Sequence, residues 1–261
     1  MIVLHHDEQD VKDDYNMTTI YDKIGTSYSA TRHPALRLAA LITEALGSAA
    51  LVVNVGAGTG SYEGRDRTVF AVEPSQTMIR QRSKDSAPVV QGTAESLPFG
   101  DGAFDAALAI LTIHHWTDPM RGLAEMRRVA RKVVVFTWDQ GVWESFWLIR
   151  EYLPGIANID RRRALAVRDL VSALGGGEVV AVPIPHDCRD GFHGAFWRRP
   201  EAYLDPQVRA GISAYALISP AERNAGLRKL AVDLESGVWA DRHHNLLQRD
   251  EINLGYRLII A

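Results

Sequence analysis

Leu51-Val-Val-Asn-Val55 runs without a break into Gly56-Ala57-Gly58-Thr59-Gly60. A short, continuous apolar run reads as a strand buried on both faces, and the glycines let the chain turn sharply at its carboxyl end. In an open α/β sheet that end is where ligands bind. The spacing separates ligand classes. Dinucleotide folds use G-x-G-x-x-G, and phosphate-gripping loops end in Lys-Ser/Thr. Here the glycines stand at 56, 58 and 60, and neither pattern is met. Alone, such a loop is a weak signal and is compatible with a turn that binds nothing.

The rest of the chain repeats the strand-then-connection pattern. Thr68–Val72 reads as a second strand ending at Glu73-Pro74, with Ser75 as N-cap of a helix over Gln76–Arg82. Pro88–Gln91, Phe104–Leu111 and Lys132–Trp138 read as the third, fourth and fifth strands. Asp118-Pro119 is a helix start, with Asp as N-cap and Pro in the first turn, and Leu123, Met126 and Ala130 fall on one face behind it. Upstream, a helix is expected from Pro34 to Leu46, with Leu36, Ala39, Ala40 and Leu41 on its inner face and Gly47 as its cap. Helical stretches are expected over Trp143–Leu153, Asp160–Leu174 and Pro220–Ser236, and the last two strands over Glu178–Pro183 and Ile252–Ile260. This alternation predicts an α/β fold: a Rossmann-like, seven-stranded, mostly parallel sheet with helices on both faces. Residues 139–160 and 186–219 fall where a helical lid insertion would sit, so residues 21–261 are read as a single domain.

Composition narrows the classes. The formal net charge of -3 provides no basic field to draw in nucleic acid. The single cysteine, Cys188, excludes a disulfide framework and makes a cysteine-based metal site a poor expectation; it reads as a buried small hydrophobe. No apolar run is long enough for a membrane span. Residues 1–20, with His5-His6, lack the features of a signal peptide and read as a loosely held leader, so a cytoplasmic setting is expected.

Two further elements surround the glycine loop. Glu73 stands at the end of the second strand, where a carboxylate can accept hydrogen bonds from ribose hydroxyls. Gly92-Thr-Ala-Glu-Ser-Leu-Pro98 follows the third strand and offers small side chains and backbone amides to a flat ring. Taken in order, VVNVGAGTG, VEPS, GTAESLPF and FDAALAILTIHHWTD resemble the successive motifs of class I S-adenosylmethionine-dependent methyltransferases. The nearest type is the small-molecule one that includes the ubiquinone and menaquinone biosynthesis enzymes, and the resemblance covers about Tyr21 to Trp138.

That resemblance implies S-adenosyl-L-methionine as cofactor and S-adenosyl-L-homocysteine as product. Gly56, Ala57 and Gly58 would face the methionine part. Glu73 would hold the ribose, and Pro74 and Ser75 would lie beside the adenine. Ala94 would offer its amide to the ring, with Thr93 and Glu95 beside it. Ile110 or Leu111 would meet the methionine end through backbone. Tyr21-Asp22, Tyr28 and Arg32 resemble the family's N-terminal cap, and Arg32 would pair with the cofactor's carboxylate. Two positions depart from the pattern: Asn54 stands where an acid is usual, and Thr93 where many relatives carry Asp.

The expected reaction is methyl transfer to an O, N or C atom of a small-molecule acceptor. It needs orientation and, for a protonated nucleophile, a base. His114 and His115, after the fourth strand, and His193 in the insertion are the base candidates; His186, Asp187 and Trp197 are rivals. Phe192, Phe196, Trp197 and Tyr203 would suit an apolar acceptor wall or ordinary core packing, and Arg198-Arg199 could attract an acidic group. No metal, nucleic-acid or membrane partner is expected, and the chain is read as a monomer or homodimer. Asn54 and Thr93 also motivate an alternative, a methyltransferase-fold protein that binds the cofactor for a non-methylation reaction or only binds ligand.

Overall fold

The computed structural model describes residues 28–261. The leader, His5-His6 and Tyr21-Asp22 lie outside the described residues.

In chain order the elements are α1 (Tyr28–Thr31), α2 (Leu36–Leu46), β1 (Leu51–Val55), β2 (Thr68–Glu73), α3 (Gln76–Arg80), β3 (Val89–Gln91), β4 (Phe104–Ile110), α4 (Pro119–Val129) and β5 (Ala130–Trp138). Then follow α5 (Gln140–Trp143), α6 (Trp147–Glu151), α7 (Gly155–Arg163), α8 (Val167–Ala173), β6 (Glu178–Ala181) and β7 (Ile184–Pro185). The chain ends with α9 (Pro206–Ala210), α10 (Ala214–Leu217), α11 (Pro220–Glu235), α12 (Val238–Arg242), α13 (His244–Leu247), β8 (Glu251–Ile252) and β9 (Tyr256–Ile260). Short 3-10 turns cover Ile113–His115, His193–Phe196 and Pro200–Leu204.

Seven strands form one sheet in the order β3-β2-β1-β4-β5-β9-β6. β1 to β5 run parallel, and β9 lies antiparallel between β5 and β6. The alternation along each strand divides the core. Val52, Ala106, Leu108, Val134 and Phe136 face one layer; Val53, Ala107, Ala109, Val133 and Val135 face the other. The chain steps outward from β1 to β3 and then returns to β4 on the other side of β1. The strand order therefore reverses between β1 and β4, and a crevice opens at their carboxyl ends.

Ser75 caps α3 by accepting the Met78 N–H, and Asp118 caps α4 by accepting that of Arg121, as the sequence predicts. Four expectations are corrected. The inner face of α2 is Leu38, Ile42, Ala45 and Leu46, a stripe spaced i, i+4, i+7, i+8, while Leu36 is 88% exposed. The helix expected over 143–153 is two short ones, α5 and α6. The helix expected from Asp160 to Leu174 is also two. The Gln140 side-chain amide donates to the carbonyls of Asp160 and Ala164, ending α7 before α8 begins. The final strand is split: β8 pairs with β7, and Gly255 turns the chain into β9 with φ of 91°. A Cβ there would sit 2.8 Å from the Asp139 carbonyl, so only glycine fits.

Buried aromatic side chains anchor residues 186–219 to the core. Trp197 and Tyr203 are fully buried, and Trp197 is held by its own indole N–H to the Ile184 carbonyl and by the Trp147 indole to its carbonyl. Arg198 and Arg199 donate to backbone carbonyls of Arg249 and of Cys188 and Ala195, which corrects the reading of them as an attractor for acids. Among the described residues no helix is long and apolar enough to cross a membrane.

Candidate active site

The crevice between β1 and β4 holds an open cleft of about 940 Å³. All the positions expected for the cofactor line it: Tyr28, Arg32, Asn54, Gly56, Ala57, Gly58, Glu73, Pro74, Ser75, Thr93, Ala94, Glu95, Ile110 and Leu111. Six residues the sequence reading missed join them: Thr59, Ser61, Met78, Thr112, Trp116 and Thr117. Thr59 belongs to the glycine motif itself, Met78 to α3, and Thr112, Trp116 and Thr117 to the motif segment that follows β4.

The glycine loop is shaped from behind. Gly56 has φ of 67°, and a Cβ on it would fall 2.1 Å from Thr112 Oγ1, so the loop passes β4 with backbone alone. Glu73 is buried, with Oε2 accepting the Gly58 N–H at 2.8 Å and Oε1 that of Ser75 at 3.0 Å. The acid thus clamps the loop to the start of α3. Each carboxylate oxygen has a second lone pair, so the same group can still accept hydroxyls. Behind the loop, Glu63 and Arg82 form a buried ion pair, 5% and 4% exposed, and Arg82 also donates to the Gly58 carbonyl. Asn54 donates its amide N–H to Glu63 at 3.2 Å. Glu63 can only accept, so the amide must turn its oxygen away, toward the cleft that Asn54 lines. An acceptor therefore remains where the family's acid would stand, without its charge.

These features fit S-adenosylmethionine. A buried carboxylate suits the ribose, the Asn54 oxygen and strand-end carbonyls suit an ammonium, and Met78, Thr93 and Ala94 offer a wall and polar edge for the adenine. The Glu95 carboxylate accepts the amides of Thr117 and Asp118 on Oε1. The Arg32 fork is closed on fully buried Asp190, Nε to Oδ1 at 2.5 Å and Nη2 to Oδ2 at 3.3 Å, and Nη1 donates to the Tyr28 hydroxyl. The Nε–Nη2 edge of Arg32 is therefore taken, and that edge cannot pair with a cofactor carboxylate in this arrangement. Asp190 also accepts the Tyr62 hydroxyl at 2.7 Å, joining α1, the glycine loop and the insertion.

A second cavity, of about 600 Å³, adjoins the first and shares Tyr28, Arg32, Leu111 and His115 with it. Leu111 lies between them with φ of 49°, a left-handed backbone that bulky residues rarely adopt and that recurs at functional sites. The second cavity is walled by Trp138, Trp143, Phe192 and Tyr256, with His114, His193, Asp160 and Arg163 as its polar groups. Of the four aromatic residues expected to wall an acceptor, only Phe192 lines this cavity; Phe196, Trp197 and Tyr203 do not. His186 and Asp187 line neither cavity.

The three candidate histidines are all held uncharged. Burial, then Arg163 and Arg32, keeps His114 well below the usual imidazole range. Burial, then His114 and the same arginines, does so for His115. Burial alone pushes His193 down to about 3. His115 Nδ1 faces the Arg163 guanidinium at 2.9 Å. A guanidinium only donates, so Nδ1 accepts and the proton sits on Nε2. The Nδ1 lone pair of His115 is thus engaged by Arg163, which corrects the expectation of a base at that nitrogen.

The comparisons agree with this geometry. Residues 53–136 match the model of the methyltransferase domain family. A solved structure from Anabaena variabilis, described as a methyltransferase from an antibiotic biosynthesis pathway, is 33% identical, covers 88% of this chain and 98% of its own, and superposes with a TM-score of 0.83. A tRNA (carboxymethyluridine(34)-5-O)-methyltransferase of Xenopus tropicalis is 27% identical over 67% of this chain, which spans only 28% of that protein's length. A demethylmenaquinone methyltransferase of Renibacterium salmoninarum is 28% identical over 54% of this chain and 69% of its own. The chain belongs to the class I S-adenosylmethionine-dependent methyltransferases.

Proposed function

We propose that this protein transfers a methyl group from S-adenosylmethionine to a small-molecule acceptor bound in the second cavity. The observation that carries the reading is the aromatic-walled cavity that meets the cofactor cleft at Leu111 and His115. Its lining combines aromatic side chains with a few convergent polar groups, the character of a small-molecule site. The absence of net positive charge favours such an acceptor over tRNA, the substrate named for the Xenopus relative.

When bound, the cofactor supplies a methyl group activated by a sulfonium. This chain's residues supply the rest. Glu73 and Asn54 hold the two ends of the cofactor, which fixes where its methyl group lies. Leu111 and His115 border both cavities, and the Trp138, Trp143 and Phe192 walls orient the acceptor and exclude water. Reacting atoms must approach to about 3–3.5 Å, so transfer would take place at the border the two cavities share. The test is transfer of a labelled methyl group to a metabolite panel, run beside total tRNA. Transfer to a small molecule is expected. Transfer to tRNA alone would overturn the acceptor class.

A further inference from the structure

The second cavity contains a carboxylate that is only half engaged. Asp160, in α7, accepts the Trp143 indole N–H on Oδ2 at 2.9 Å. Among the described residues Oδ1 takes no hydrogen bond, and Asp160 lines the cavity. The same Trp143 ring meets His193 edge-on, with centroids 5.2 Å apart. One indole therefore positions the acid and the neutral imidazole. His193 Nε2 is buried without a partner among the described residues. A buried polar atom costs free energy until something bonds to it, and this one belongs to a cavity-lining side chain.

Charge selects the class of acceptor. The titratable and charged groups around Asp160 and its cavity are Arg163 on its own helix, Glu144 after α5, His114 and His115 on the 3-10 turn, His193, Tyr28, Arg32 and Tyr256. The imidazoles are uncharged, and Arg32 is paired with Asp190. Arg163 supplies permanent positive charge beside Asp160. An ammonium would enter against that charge. A neutral hydroxyl can give its proton to Asp160 and leave an oxyanion beside Arg163, with the total charge of the cavity unchanged.

We propose that Asp160 is the general base of this site and that its acceptor is an aromatic or conjugated compound bearing an acidic hydroxyl, a phenol or enol. The proposal rests on the methyl-transfer reading above. The acceptor O–H bond breaks and its proton passes to Asp160. An oxygen lone pair forms the new O–C bond as the S–C bond breaks, its electron pair staying on sulfur, and Asp160 later releases the proton to solvent. Trp138, Trp143 and Phe192 supply flat walls for the ring. The protonation states agree with this role. Burial pushes Asp160 up to about 6, with Glu144 adding to the rise and the Trp143 bond and Arg163 opposing it. It titrates near neutrality, as a base should, whereas His193 at about 3 is too weak.

The test uses the full chain with S-adenosylhomocysteine, which permits no transfer, and 4-nitrophenol as probe against 4-nitroaniline and benzylamine. Wild type is expected to bind 4-nitrophenol at least about tenfold more tightly than either amine, with the preference fading below pH of about 6. Asp160→Asn keeps the Trp143 contact but should lose both the preference and its pH dependence. With S-adenosylmethionine the variant should methylate the probe about 10²-fold or more slowly at unchanged cofactor affinity. Trp143→Phe, which removes the bond that lowers Asp160, should move the pH limb upward and serves if Asp160→Asn does not fold. Preference for an amine, binding of none of the probes, or an Asp160→Asn protein that matches wild type would overturn the proposal. Wild type that fails to bind S-adenosylmethionine would instead remove the methyl-transfer reading itself.

Discussion

Glu73→Gln is the sharpest probe of the cofactor cleft. Both carboxylate oxygens face backbone N–H groups, Gly58 at 2.8 Å and Ser75 at 3.0 Å. A glutamine has one carbonyl oxygen and one NH₂, so one of these amides must meet a donor. A bond to a charged acceptor contributes about 1.5–3 kcal/mol, and the surviving bond falls to the neutral value of about 1 kcal/mol. The variant should therefore lose about 3 kcal/mol of folding stability, because Glu73 is buried and water cannot replace the carboxylate. Urea unfolding should show this as a midpoint lowered by about 1 M or more at unchanged slope. Calorimetry should show S-adenosylmethionine bound about tenfold or more weakly, 1.4 kcal/mol or more, since the loop and the ribose acceptor are disturbed together. Glu73→Ala should weaken the cofactor at least as much. A Gln variant with wild-type midpoint and wild-type affinity would show that the acid neither clamps the loop nor holds the cofactor.

Two other perturbations follow from the buried charges. Asp190→Ala leaves Arg32 buried and unpaired and removes the acceptor of the Tyr62 hydroxyl; a loss of about 3–5 kcal/mol is expected in urea unfolding. The pH dependence of stability should carry the signature of His193, whose value falls from 6.5 in a free imidazole to about 3. The unfolded chain then binds the proton first, so this contribution is complete above about pH 6.5 and is lost as pH falls toward 3. Unfolding midpoints measured across that window should slope less in His193→Leu than in wild type.

Much of the fold could be read from the chain because its determinants are local. Apolar strands such as Leu51–Val55, the Ser75 and Asp118 caps, and the glycine spacing at 56, 58 and 60 depend on neighbours within a few residues. The cofactor cleft followed for the same reason, since β1 and β4 deliver their loops to one end of a parallel sheet. The second half was less legible. Gln140 reaches across 20 residues to end α7, a contact that no local pattern announces. The second cavity is a purely tertiary object. It gathers Trp138 and Trp143, Asp160 and Arg163, Phe192 and His193, and Tyr256, far apart in the chain and carrying no shared motif. Arg32 shows the contrast within one residue: the sequence determines a guanidinium at the edge of the site, but Asp190, 158 positions away, takes its fork. Burial settles the remaining chemistry, because the solvent lost around Asp160 and His193 sets their protonation, and only the packed structure says how much is lost.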